Sequence, residues 1–148
     1  MTPKQKMLLQ LSYTQISSAT DEVAERFHRR LLRLDPALRR ADLKSEGRKL
    51  LQLIGLAVRK LDRPEEVTQA ARDLGREYSD RGLTEEHFDT MGEALLWTLE
   101  QVLGEDGLDR IERTAWIHVY RTLTGWMKEG AQEVTGQPGA EPTAATAG

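Results

Sequence analysis

Apolar residues recur at helical spacing along almost the whole chain, and no segment alternates convincingly in the manner of a half-buried strand. A sequence with that period over 148 residues is restricted to packed helices around one core. A first helix is predicted from Pro3, with Thr2 as its cap, the proline in its first turn and Gln5 able to reach back. Its inner side is Leu8, Leu9, Tyr13 and Ile16. Ser17 to Thr20 interrupt the pattern and can cap a second helix. That helix has Val23, Phe27, Leu31 and Leu34 on one face, and it must end at Asp35-Pro36, because the residue before a proline is pushed out of helical geometry.

After a short turn through Ala41, a third helix is expected over residues 43–61, with Leu50, Ile54, Ala57 and Leu61 as its stripe. Asp62 to Glu65 mark a stop and a restart. The next helix, over 64–79, is weakly apolar and turns Val67, Ala70, Ala71, Leu74 and Tyr78 inward. Gly82 lets the chain turn, and Thr84 with Glu85 and Glu86 opens a helix carrying Phe88, Met91, Leu95, Leu99, Val102 and Leu103. A turn over 104–107 leads to a last helix with Leu108, Ile111, Ala115, Trp116, Val119, Leu123 and Met127 inside. From about Gln132 almost nothing remains to bury, so residues 1–131 are expected to form the domain and 132–148 a disordered tail.

Several function classes are disfavoured at this level. A net charge of -3 and a pI near 5.7 do not suit nucleic acid or an anionic membrane as the main partner. The chain has no cysteine, so disulfides and thiolate metal sites are ruled out. No run approaches the ~20 apolar residues of a membrane span, and a cytoplasmic protein is the expectation. There is no HExxH, P-loop or GxGxxG motif and no histidine pair at helical metal-site spacing. Ser12, Ser17 and Ser79 lie outside any nucleophile elbow. The tryptophans and methionines sit at core spacing. Arg29, Arg30, Arg33, Arg39, Arg40, Arg48 and Lys49 make the first third basic, which reads as a solvated face able to attract an acidic partner.

The residues themselves go further than their period. Leu9-x-x-Ser12-Tyr13, then Phe27-His28-Arg29-Arg30-Leu31-Leu32-x-x-Asp35-Pro36-Ala37-Leu38-Arg39, resemble the first two helices and the proline turn of bacterial single-domain haemoglobins and of the globin part of flavohaemoglobins. Glu46-Gly47-Arg48-Lys49-Leu50 is similar to the distal-helix motif, which usually begins with Gln. Leu74-Gly75-Arg76, Gly82-Leu83, His87-Phe88 and Gly92-x-Ala94-Leu95-Leu96-x-Thr98-Leu99 resemble the proximal helix and its successor, and Ala115-Trp116-x-x-x-Tyr120 the final helix. These fragments keep the family's order and spacing from Pro3 to Met127. The resemblance implies an all-α globin fold of six to seven helices, with a corner before the distal helix about three residues shorter than usual.

It also implies haem, held by a proximal imidazole and apolar walls, with dioxygen or another diatomic as ligand. The positions it assigns to the pocket are Phe27, His28, Glu46, Lys49, Leu50, Tyr78 and Phe88. The family's iron-ligating histidine lies nine residues before the His-Phe pair, and here that residue is Tyr78. Tyrosine ligates iron only as phenolate, which at neutral pH needs ferric iron or a neighbouring cation, and Arg76 and Arg81 are its neighbours in sequence. Alternatively Tyr78 is a packing residue. Arg81 replaces an aromatic, and Arg39 to Leu43 lack the phenylalanine that wedges against the porphyrin.

On the distal side, His28 stands where the group has tyrosine. It could donate to a bound ligand, bind iron itself, pair with Glu46, or be structural. Leu50 also fits ordinary core. His87 is expected at a helix start, and His118 is expected to face outward. Two functions therefore stand side by side: a haem protein with an atypical iron ligand, and a haem-free globin-fold sensor or protein-interaction module, which could pair with another protein or as a homodimer. No residues remain for a reductase domain, so an enzyme is not expected; dioxygenase-like or peroxidase-like chemistry would need bound haem and an external electron donor.

Overall fold

A computed structural model describes residues 1–104 and 109–135. Within them the chain forms six α-helices: α1 (Pro3–Ser17), α2 (Thr20–Leu34), α3 (Glu46–Arg59), α4 (Thr68–Asp80), α5 (Glu85–Leu103) and α6 (Arg110–Thr135). Short 3-10 turns at Pro36–Ala41 and Pro64–Glu66 precede α3 and α4. There is no strand among the described residues.

Local chemistry explains most of the boundaries. At the start of α1, the Gln5 amide donates to Thr2 Oγ1 at 3.1 Å and the Thr2 amide to Gln5 Oε1 at 2.9 Å, a reciprocal cap that satisfies two orphan donors. Asp35 ends α2 in extended geometry before Pro36, and its side chain accepts from the Ala37 amide at 3.2 Å. Two expectations need correction. The third helix begins at Glu46 rather than 43, because after left-handed Asp42 (φ 50°) residues 43–46 close a tighter turn, the Glu46 amide donating to the Leu43 carbonyl at 3.0 Å. The fourth begins at Thr68, because Pro64–Glu66 close as a tighter turn. Leu34, Ala70 and Ile111, expected inside, stand exposed near helix ends. The helix α6 continues to Thr135, into the stretch expected as tail. The expected turn beyond Gly104, inner residue Leu108 and residues 136–148 lie outside the described residues.

Packing follows two main seams. The most extensive is between α4 and α6, and the next is between α2 and α5. At the first, the helices touch backbone to backbone. A Cβ placed on Gly75 would lie 1.9 Å from the Met127 carbonyl oxygen, and one on Gly130 would lie 2.0 Å from that of Arg72. Arg72 with Glu129 (2.6 Å) and Arg76 with Glu133 (3.1 Å) flank the contact on the surface. This crossing presses α4 into the protein, so that its last turn carries Tyr78 into the core together with Phe88, Leu50, Phe27, Trp116 and Met91.

Candidate functional site

The seven pocket positions assigned by resemblance fall on α2, α3, α4 and α5, and the fold brings most of them together. Tyr78 is fully buried at the end of α4. Its ring lies against Phe88 of α5 with centroids 6.1 Å apart and planes tilted by 49°, an ordinary aromatic contact. Its hydroxyl donates to the backbone carbonyl of Glu46 at 3.2 Å, the first residue of α3. Burial and the surrounding Tyr120, Glu46 and Glu77 hold the phenol well above its ordinary pKa, against the weaker opposite pull of Arg81. At the position that the resemblance assigns to the iron ligand, the side chain is a hydrogen-bond donor aimed at the start of α3. Phe27 and Leu50 are buried core on either side of the same region.

Glu46 is the second unusual feature. Its side chain is 1% exposed, at the N-terminus of α3 where the helix dipole favours a negative charge. One carboxylate oxygen lies 3.2 Å from the Arg81 guanidinium and 3.3 Å from Lys49 Nζ, and Ser45 Oγ donates to it at 3.4 Å. The other oxygen is buried and has no partner. Lys49, half-exposed, also binds Glu77 of α4 at 2.7 Å. Burial raises the Glu46 pKa and its interaction with Glu77 raises it further, opposed by Lys49 and Arg81, while that of Glu77 is lowered. Of the two carboxyls, Glu77, nearer solvent, therefore loses its proton first.

The two arginines near Tyr78 in sequence go elsewhere. Arg76 points to Asp73 and Glu133 on the surface. Arg81 donates to the carbonyls of Ala41 (3.2 Å) and Asp42 (3.1 Å) besides meeting Glu46. Its guanidinium thus ties the end of α4 to the corner before α3, in the region where the sequence lacks an aromatic.

The histidines do not join this cluster. His28 lines an outer depression of about 700 Å³ with Asp21, Asp42, Lys44 and Arg48, bordered by neither Tyr78 nor Glu46. Burial and Lys44 lower its pKa, opposed by Asp42. The pairing of His28 with Glu46 considered from sequence is replaced by Lys49 and Arg81, which reach the carboxylate from its own helix and from α4. His87 caps α5, its Nδ1 accepting the Thr84 amide proton at 2.8 Å, with Asp35 at 3.6 Å from Nε2. His118 is exposed on α6, as expected. Among the described residues no group of three or more His, Asp or Glu side chains is placed to hold a metal ion. No helix there is long and apolar enough to cross a membrane.

Residues far apart in sequence escaped the sequence reading. Glu77 joins Glu46 across 31 positions, and Trp97 of α5 meets an arginine of α2. Neither pairing has a local pattern that would have announced it.

Helices of this order, with α3 packed on α1, α2, α4 and α6, superpose on solved helical proteins. A hexacoordinated heme protein from an anhydrobiotic tardigrade superposes with a TM-score of 0.79 at 15% identity, over 89% of this chain and 96% of that one. An engineered carbene transferase from Rhodothermus marinus superposes with a TM-score of 0.78 at 20% identity, over 91% of this chain and 96% of that one. The Globin family description matches residues 14–127 of the sequence. The chain belongs to the globin family.

Proposed function

We propose that this protein is a globin that has given up haem and retains the fold as a binding and interaction module rather than as an oxygen carrier or an enzyme. The observation that carries the reading is the hydrogen bond from Tyr78 Oη to the Glu46 carbonyl at 3.2 Å. A porphyrin held between the proximal and distal helices needs room for a carbon contact on each face, about 7 Å in all. A proximal side chain in direct contact with the distal backbone leaves no such slot. The side chains at the family's ligand positions do not fit the group in other respects either. The phenol is held neutral, so it is a poor iron ligand. His28, His87 and His118 are engaged or oriented elsewhere. The charged chain of Arg81, Glu46, Lys49 and Glu77 occupies the distal edge where an apolar wall is required.

The test is a titration of the purified protein with ferric haem, read as a stoichiometric, shifted Soret band. The expected result is no such complex, and none for Tyr78→His, since a new imidazole does not reopen a closed slot. A tight complex whose ferric charge-transfer band disappears in Tyr78→Phe would overturn the reading and return the protein to the haem carriers.

A further inference from the structure

Away from the Tyr78 region, four arginines of α2 line one groove. Arg26, Arg29, Arg30 and Arg33 recur at helical spacing and, with Trp97 of α5, enclose about 440 Å³. The Arg30 guanidinium lies 4.7 Å from the centre of the Trp97 ring, close enough for a cation–π contact. The Nε groups of Arg26 and Arg30 are buried and make no hydrogen bond, although the Arg26 nitrogen lies 3.1 Å from the Glu22 carboxylate. Arg29 faces Glu25 at 3.7 Å. Both of these pairs join partly exposed neighbours on one helix, weak contacts readily exchanged for a stronger anion. No ion pair with a carboxylate is formed by Arg30 or Arg33 among the described residues. On α5, Glu100 is taken by Arg113, leaving Glu93 as the acidic residue one turn before Trp97.

Like charges crowded along a helix are destabilising, and the buried Arg30 Nε, which makes no hydrogen bond, adds to that cost. Both are relieved by an anion in the groove. Guanidinium forks match phosphate oxygens in paired hydrogen bonds. Arg26 and Arg33 are about 10 Å apart along the helix, two turns, which suits two linked phosphates better than one compact ion. The indole supplies an apolar wall for an organic group.

We propose that the α2–α5 groove binds a diphosphate group, as carried by inorganic pyrophosphate or by a nucleoside diphosphate. The site deepens the reading of a haem-free module by giving it a ligand. Its test is read without haem, so a chain that did bind haem would overturn that reading and leave this one standing.

The experiment is calorimetric titration of the full chain with pyrophosphate and, separately, with ADP at physiological salt, alongside tryptophan fluorescence. Saturable binding at one site per chain is expected, with sulfate failing to compete at equal concentration. Tighter binding of ADP than of pyrophosphate assigns the base to Trp97, and equal binding assigns recognition to the diphosphate alone; either outcome supports the site. Arg30→Gln/Arg33→Gln should weaken binding at least about tenfold. Arg39→Gln/Arg40→Gln removes the same charge elsewhere and should leave it unchanged. If the double variant in the groove fails to fold, Arg33→Gln, at an exposed position, provides the same comparison. Absence of saturation at millimolar probe, or equal loss in the two double variants, overturns the proposal. So does binding of an acidic peptide by a protein that ignores pyrophosphate, which would make the groove a protein-docking surface.

Discussion

The closeness of α4 to α6 decides how deeply Tyr78 is buried, and it can be tested by placing one methyl group between the two helices. In Gly75→Ala the new Cβ would meet the Met127 carbonyl oxygen at 1.9 Å and its carbon at 2.5 Å. A comfortable carbon–oxygen approach is about 3.3 Å, so the helices must separate by more than an ångström at a contact made of backbone, which cannot rotate away. Alanine is the better helix former by roughly 0.5–1 kcal/mol. Overpacking of a tight contact costs about 1–3 kcal/mol, and here the displaced helix also loosens the core around Tyr78 and Phe88. The clash wins. Gly75→Ala should lose about 1–2 kcal/mol net, a sizeable fraction of the stability of a single domain. Gly125→Ala on α6 is the matched control. Nothing lies within 4 Å of its Cβ, so it should gain about 0.5–1 kcal/mol from helix propensity alone. Urea unfolding followed by far-ultraviolet circular dichroism reads both. Unchanged or raised stability in Gly75→Ala would show that α4 and α6 are not in backbone contact, and the burial of Tyr78 would lose its cause.

Four further outcomes follow from the buried polar groups. Because the folded pKa of Glu46 is raised, its protonated form stabilises the fold below the ordinary glutamate pKa of 4.5, and that contribution is lost as the pH rises past it. Glu77, lowered, has the opposite sign, contributing above that value and losing its effect as the pH falls. Glu46→Gln should therefore flatten the decline of wild-type stability above pH 4.5, measured by urea unfolding across the range; an unaltered pH profile would count against a buried acid at that position. Tyr78→Phe should cost about 1 kcal/mol for one hydrogen bond, with the fold intact. The Tyr78 phenol should stay protonated beyond the ordinary tyrosine range in an absorbance titration, its share of stability disappearing as the pH rises above about 10; normal ionisation in the folded protein would contradict its burial. Ser12 donates to the buried Glu112 carboxylate at 2.6 Å, joining α1 to α6. Removing that donor in Ser12→Ala should cost about 1–3 kcal/mol in the same unfolding assay, and a neutral result would place the carboxylate in solvent.

Much of this protein is local and so was legible in the chain itself. The period of Val23, Phe27 and Leu31, the Thr2–Gln5 cap and the Asp35-Pro36 stop depend on residues within a turn of one another, and the structure has them as expected. The family register that brings a tyrosine to position 78 comes from the order of short motifs, and the match over residues 14–127 supports the family to which it belongs. Helix starts at Glu46 and Thr68 were harder to place, because a left-handed Asp42 and a 3-10 turn leave no hydrophobic signature.

What a side chain points at was decided by helix crossings. Periodicity could put Tyr78 on an inner face, but whether its hydroxyl meets open space or the Glu46 carbonyl depends on how closely α4 lies to α3 and α6. The same holds for Arg81 reaching the corner before α3, and for the α2 arginines closing on Trp97. Sequence determines these helices because backbone hydrogen bonding is a short-range matter. The distance between two helices is set by every side chain, and every missing side chain, at their contact, so only the assembled fold determines whether the cleft between them is open.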